Sequence, residues 1–312
     1  MSVNKKKRDK FSPITIAMLL ILSLYCFILL FLLLWAFMQI FKHPLDFSKN
    51  LIWFPSSKAP QRGFTLINLR ALIVFAEESE WMPAGSGNVT NVSLFQVAIN
   101  SIIYALGGSL VNATVTCLMA YLSAKYAYTY SKIIYSIVIV VMVIPVVGAQ
   151  ASEIEVLTNL GLYNSRFGFL VLKAGFVSMY FLVFYETFKG MPMTYNEAAM
   201  IDGASDWYVM TRICMPLAVN VFTTVALITF IQYWNDYQMA MLYMPSYPTL
   251  AYFLFKVQHA SNNIKVDGRS YNPANAPMRM MATVVLMTPI LIIFIALHEK
   301  LMGNLSIGGI KG

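Results

Sequence analysis

From Phe11 to Phe41 the chain runs 31 residues without a charged side chain. Crossing the hydrocarbon core of a bilayer takes roughly 20 apolar residues in a helix, so this run predicts a first transmembrane helix. A cleaved leader would have an apolar stretch of only about 7 to 15 residues closed by small side chains. Here Trp35, Phe37, Met38 and Gln39 close it instead. The rest of the 312 residues agrees: 58% are apolar and 12% charged, against roughly 45–50% and 25% in soluble domains, and the mean hydropathy is +0.64. A water-soluble enzyme is excluded, and a single integral membrane unit is expected.

Further uncharged runs lie at about 95–124, 133–150, 213–235 and 280–298. A poorer one, 168–188, is interrupted by Lys173 and Glu186, and crosses only if both lie near its ends and snorkel to the interfaces. With it the expected architecture is all-α with six transmembrane helices. The net charge of +8 is concentrated at the start, where Lys5, Lys6, Lys7, Arg8 and Lys10 flank the first run. Basic residues beside a span hold that end in the cytoplasm; a nucleic-acid surface would spread them over a soluble face. Six crossings then place both termini, and residues 189–212, on the cytoplasmic side. The expected organisation is residues 1–94 as basic segment, first helix and outer loop, 95–298 as membrane core, and 299–312 as cytoplasmic tail. Within the outer loop, Gly85-Ser86-Gly87 reads as a turn and Asn88-Val89-Thr90 and Asn91-Val92-Ser93 as weak glycosylation patterns.

Metal and disulfide chemistry find no footing. Cys26, Cys117 and Cys214 lie in or beside apolar runs with no Cys-x-x-Cys pair, and the His298-Glu299 start of a zinc motif meets Met302 where a second histidine is needed.

Between the fourth and fifth runs the sequence reads Glu197-Ala198-Ala199-Met200-Ile201-Asp202-Gly203, followed at a distance by Ile213-Cys214-Met215-Pro216. Good helix formers follow Asn196, a suitable N-cap, and Glu197 stands at the positive end of the helix dipole. Gly203 suits the left-handed turn that ends a helix, and Pro216 suits the first turn of the next span. Met200 and Ile201 among small neighbours form a compact knob that fits a partner's groove.

This spacing resembles the E-A-A-x3-G-x9-I-x-L-P motif of binding-protein-dependent ABC importer permeases, with Met215 standing where Leu is usual, a swap that preserves volume. Asn100-Ser101, Ala120-Tyr121, Gly161-Leu162-Tyr163-Asn164, Trp234-Asn235-Asp236, Tyr247-Pro248-Thr249-Leu250 and Gly308-Gly309-Ile310-Lys311-Gly312 extend the likeness to the carbohydrate, maltose-type second-permease branch over roughly 95–312. The resemblance implies a type I ABC importer permease fold with a cytoplasmic coupling helix between helices 4 and 5, formed here by residues 196–203. It implies a heterodimer with a second permease, two cytoplasmic ATPase subunits, an extracellular solute-binding protein, a sugar substrate and a bacterial inner-membrane location. ATP and Mg are expected on the ATPase subunits and no cofactor on this chain, which has no Gly-Lys pair from which to build a phosphate loop. The tail from Gly303 to Gly312 is expected to become ordered on the ATPase dimer.

For a sugar path the sequence offers Asn100 and the run Gln232-Tyr233-Trp234-Asn235-Asp236, where hydrogen-bonding groups stand beside aromatic faces. Helix-to-helix hydrogen bonds and an interfacial aromatic anchor explain the same residues. A proton-coupled transporter with Asp236 as relay, or a membrane scaffold, also fits the spans but leaves the Glu197–Pro216 pattern without a role.

Overall fold

The computed structural model describes residues 12–56, 63–81, 91–126, 128–144 and 148–305. The basic cluster Lys5–Lys10, the Gly85–Gly87 turn, the Asn88 tripeptide and the closing Gly308–Gly312 segment lie outside the described residues.

Helices dominate. In chain order they are α1 (Pro13–Gln39), α2 (Pro44–Lys49), α3 (Ile67–Glu78), α4 (Leu94–Lys125), α5 (Thr129–Val143), α6 (Gln150–Asn159), α7 (Arg166–Lys173), α8 (Met179–Lys189), α9 (Thr194–Ile201), α10 (Asp206–Leu217), α11 (Val219–Trp234), α12 (Gln238–Tyr243), α13 (Leu250–Gln258) and α14 (Ala276–Leu305). The hairpin β1 (Ile264–Val266) and β2 (Arg269–Tyr271) precedes α14. Among the described residues, α1, α4 and the Ala276–Ile293 part of α14 are long and apolar enough to cross a bilayer. A fourth crossing is available if α10 and α11, bent by 70° at their junction, act as one.

One run differs from expectation. Residues 168–188 are not one helix: α7 stops at Lys173, and Ala174–Ser178 are non-helical before α8 begins. The reason lies on α4. The Asn112 amide of α4 donates to the carbonyls of Lys173 and Gly175, at 3.2 and 3.0 Å, occupying acceptors that a continuing helix would have used itself. The Lys173 ammonium lies over two aromatic rings, described below.

The molecule divides into two compact units. The first comprises residues 1–72 with 261–284. In it the apolar side chains of α1 face outward over most of its length, as expected of a helix whose neighbour is lipid. The chain leaving α1 is fixed by buried Asn68, whose amide donates to the carbonyls of Ile40 and Lys42 at 2.6 and 2.8 Å and accepts from the Tyr271 hydroxyl. The Asp267-Gly268 turn of the hairpin has φ of 50° and 74°, the left-handed pair that matches the twist of two short strands.

The second unit comprises residues 73–260 with 285–312. Its core is a face of small residues on α4 (Ala113, Cys117, Ala120) meeting Phe181, Phe184 and Phe188 of α8, with Val209, Met210 and Cys214 of α10 closing it. Phe181, Phe184 and Phe188 recur at helical spacing, so one stripe of α8 fills the groove that small side chains leave on α4. Within the same unit the Lys256 ammonium lies 3.9 Å from the centre of the Trp81 ring and donates to the Glu80 carbonyl; burial pushes its pKa below the usual lysine value.

Candidate functional site

The Glu197 segment forms α9, and its end is built as the residues require. Gly203 has φ of 81°; Gly203 N–H donates to the Met200 carbonyl at 3.0 Å and Ala204 N–H to the Ala199 carbonyl at 2.9 Å. That pair of bonds is the Schellman closure, which satisfies the last carbonyls of a helix through one left-handed residue. Ser205 then caps α10 by accepting from Tyr208 N–H at 3.3 Å.

Its start differs from the sequence reading. Met193 precedes the helix and offers no side-chain cap, while Asn196 is the third helical residue, buried, accepting from the Cys214 thiol at 3.6 Å. Asn196 is therefore an inward tether between α9 and α10. Its Oδ1 is taken by the Cys214 thiol rather than by the helix's first N–H groups. Glu197 keeps its place in the first turn.

α9 has two faces. Asn196 is buried and Ala199 packs against the core, whereas Glu197, Ala198, Met200, Ile201 and Asp202 are exposed, Ile201 to 85%. Trp207 and Tyr208 extend this uncovered surface, and an open groove of about 630 Å³ runs beside Gly203, lined by Ala199, Asp202, Ala204, Ser205, Tyr208 and Ile213. The connection into α9 is pinned from α4, because the buried Lys125 ammonium donates to the Met191 carbonyl at 2.8 Å. Pro216 lies in the last turn of α10 rather than at the start of α11, immediately before the 70° bend between them.

The second group of residues gathers around Tyr104. Its hydroxyl donates to Asp236 Oδ2 at 2.8 Å, its ring stacks on Phe169 at 4.1 Å, and the Tyr233 ring meets it edge-on at 6.4 Å. The Lys173 ammonium covers the same aromatic group, 4.6 Å from the Tyr233 centroid and 5.3 Å from that of Phe169. Close approach here depends on Gly108, where a Cβ would stand 3.2 Å from both Phe169 and Tyr233. Tyr104 lies on a π-helical turn of α4, Ile103–Gly107, an irregularity that frequently marks functional positions. The other oxygen of Asp236 accepts from Met239 N–H at 3.0 Å.

The expected path residues therefore separate. Tyr233 and Asp236 join the Tyr104 group; Trp234 is buried, its indole donating to the Leu286 carbonyl at 3.0 Å; Gln232 and Asn235 are exposed. Asn100 is elsewhere, donating to the Pro248 carbonyl at 3.2 Å and accepting from Arg166 at 2.7 Å, while Ser101 accepts from Leu250 N–H at 2.6 Å. Asn100-Ser101 thus braces the Tyr247–Leu250 segment, and Asn164, at φ 53°, braces Ser246 in the same region through two bonds. Gly168 is needed because a Cβ there would overlap the Leu162 carbonyl. Sequence reasoning missed Tyr104, Phe169, Lys173 and Arg166. The available signal was a cation inside an apolar run, which is costly unless something receives it.

Residues 113–302 match the sequence profile of the binding-protein-dependent transport system inner membrane component family. The chain belongs to this family. The permease is 26% identical over 269 residues to the sulfoquinovosyl glycerol transport system permease protein SmoH of Agrobacterium fabrum, spanning 85% of this chain and 82% of that one. To the diacetylchitobiose uptake system permease protein NgcG of Streptomyces coelicolor it is 25% identical over 223 residues, 70% of each chain. To the melibiose/raffinose/stachyose import permease protein MelC of Bacillus subtilis it is 23% identical over 235 residues, 74% of this chain and 79% of that one. Its fold is that of a chain in the crystal structure of a bacterial ABC transporter that imports the acidic polysaccharide alginate, with a TM-score of 0.69 over 93% of this permease and 98% of that chain at 17% identity.

Proposed function

We propose that this permease is one of two membrane-spanning subunits of an ATP-driven carbohydrate importer, with an oligosaccharide as substrate. The observation that carries the reading is that relatives matched over most of its length are named for uptake of diacetylchitobiose, transport of sulfoquinovosyl glycerol and import of melibiose, raffinose or stachyose. In this reading six segments cross the membrane, α5 and the broken pair α7 and α8 completing the third and fourth crossings, with both termini cytoplasmic. A second permease completes the path, an extracellular solute-binding protein delivers the sugar, and two cytoplasmic ATPase subunits bind ATP and Mg.

α9 is the coupling helix. Its exposed Met200 and Ile201 seat in a groove on an ATPase subunit, and Glu197 favours the helix start electrostatically. Motion of that seat passes inward through contacts already present: Asn196 to Cys214 on α10, Ala199 to the core, and the Met191 carbonyl to Lys125 on α4. Tyr104 lies on α4 and Tyr233 on α11, which follows α10, so the closed group they form with Lys173 and Asp236 is tied to the same framework.

Asp236 is a poor proton relay because both carboxylate oxygens already accept hydrogen bonds, one of them from a backbone N–H that cannot exchange roles. The test is reconstitution of both permeases in vesicles with and without the ATPase subunits. Saccharide uptake should need the ATPases and ATP and should persist with a protonophore. Uptake driven by a proton gradient without the ATPases would overturn the reading.

A further inference from the structure

A groove of about 390 Å³ at the C-terminal end of α11 belongs to neither group of residues described above. Its volume falls in the range of roughly 300–1,000 Å³ found for small-ligand sites. Along it Tyr237, Phe255 and His259 form a column of rings, with centroids 4.6 Å apart at 10° and then 4.3 Å apart at 33°. Asn235 and Gln258 also line it. The end rings, Tyr237 and His259, are exposed.

The polar atoms are set by local bonds. His259 Nδ1 lies 2.9 Å from the Phe255 carbonyl; a carbonyl only accepts, so Nδ1 carries the proton and Nε2 is left as an acceptor. The Asn235 NH₂ donates to the Ile231 carbonyl at 2.8 Å, which aligns the amide and leaves Oδ1 to accept. Lipid is a poor occupant, because amides and an imidazole are costly against hydrocarbon. A pyranose suits the wall better: its C–H face packs on rings while its hydroxyls donate to fixed acceptors.

From this arrangement we infer that Tyr237, Phe255, His259 and Asn235 form a saccharide-binding subsite at the outer end of α11, distinct from the Tyr104 group. The inference rests on the importer reading and adds to it a place where sugar is held before it enters the path. Its loss should weaken capture and spare the driven step, so the signature is a shift in half-saturation.

The experiment begins with the assembled transporter in cells and a panel of radiolabelled saccharides: raffinose, maltotriose, diacetylchitobiose and digalacturonate. Whichever is taken up only when this chain is present becomes the probe. Tyr237→Ala and His259→Leu, each removing one of the exposed end rings of the column, should raise its half-saturation concentration by about tenfold, the scale of one lost ring contact, with the maximal rate changed little. Tyr237→Phe should restore most of the affinity. On the purified complex, saturation transfer from protein to the C–H protons of the same sugar should fall in both variants. Chain-dependent uptake with unchanged half-saturation in both variants would overturn the subsite and leave the importer reading standing. Loss of the second permease from the purified complex would do the same, since the groove would then be a subunit contact. No chain-dependent uptake of any panel member would overturn the importer reading and this inference with it.

Discussion

Replacing Gly203 with valine tests the coupling role because the substitution is sterically free and conformationally costly. A Cβ at Gly203 meets nothing within 4 Å, yet the residue is held at φ 81°. The whole effect is therefore backbone strain, about 1–2 kcal/mol for a side chain forced into the left-handed region and more for one branched at Cβ. Relief of that strain breaks the bonds from Gly203 and Ala204 to Met200 and Ala199, so the end of α9 and the exposed Ile201 lose their fixed direction. Against a folding free energy of about 5–15 kcal/mol the protein survives; against a coupling energy of about 1–3 kcal/mol the loss is large. Gly203→Val should leave membrane abundance unchanged and lower ATP-driven uptake about five- to thirtyfold, the range that 1–2 kcal/mol sets. Gly203→Asn should keep most of the activity, because Asn tolerates the left-handed region. The assay is uptake and saccharide-stimulated ATP hydrolysis in vesicles, normalised to permease content. Normal coupling in Gly203→Val, or equal losses in Val and Asn, would refute the argument.

Three further outcomes are expected. Glu197→Ala should weaken ATPase association two- to fivefold, the scale of about 0.3–1 kcal/mol for a charge at a helix start, and Ile201→Asp should weaken it further; titration of ATPase onto vesicles reads both. A cysteine at the exposed Tyr195, rather than at buried Asn196, should react with an impermeant thiol reagent only in inverted vesicles, and labelling of intact cells would reverse the topology. Phe184→Ala, at a position with no exposed surface, should cost about 3–5 kcal/mol and lower the thermal midpoint of the purified permease by several degrees, whereas Val183→Ala, a smaller truncation at a 41% exposed position, should cost far less.

Long uncharged runs made α1, α4 and α14 legible, because apolar length alone decides whether a helix can lie in lipid. The turn at Gly203 was legible too, since left-handed geometry depends on one residue and its neighbours. Asn196 misled because its capping propensity is local while its actual partner, Cys214, is brought there by the return of α10. The break after Lys173 was hidden for the same reason: the amide that ends α7 belongs to Asn112, 61 residues earlier in the chain. Tyr104 and Asp236 are separated by 132 residues, and nothing periodic links them; the packing of α4 against the end of α11, close at Gly108, brings them together.

The Asn68 tether also has a timetable. Its amide can bond Ile40 and Lys42 as soon as α3 is made, but the Tyr271 hydroxyl that completes it is synthesised 203 residues later. At roughly 5–20 residues per second on the ribosome, the gap is on the order of 10 to 40 s. For that interval the first helix is in the bilayer with its exit segment half-built, and the Asn68 carbonyl must be satisfied by water. The hairpin that arrives last therefore acts as a latch on a structure begun first, and a chain stalled before Tyr271 would present the open latch to whatever quality-control protease surveys that face of the membrane.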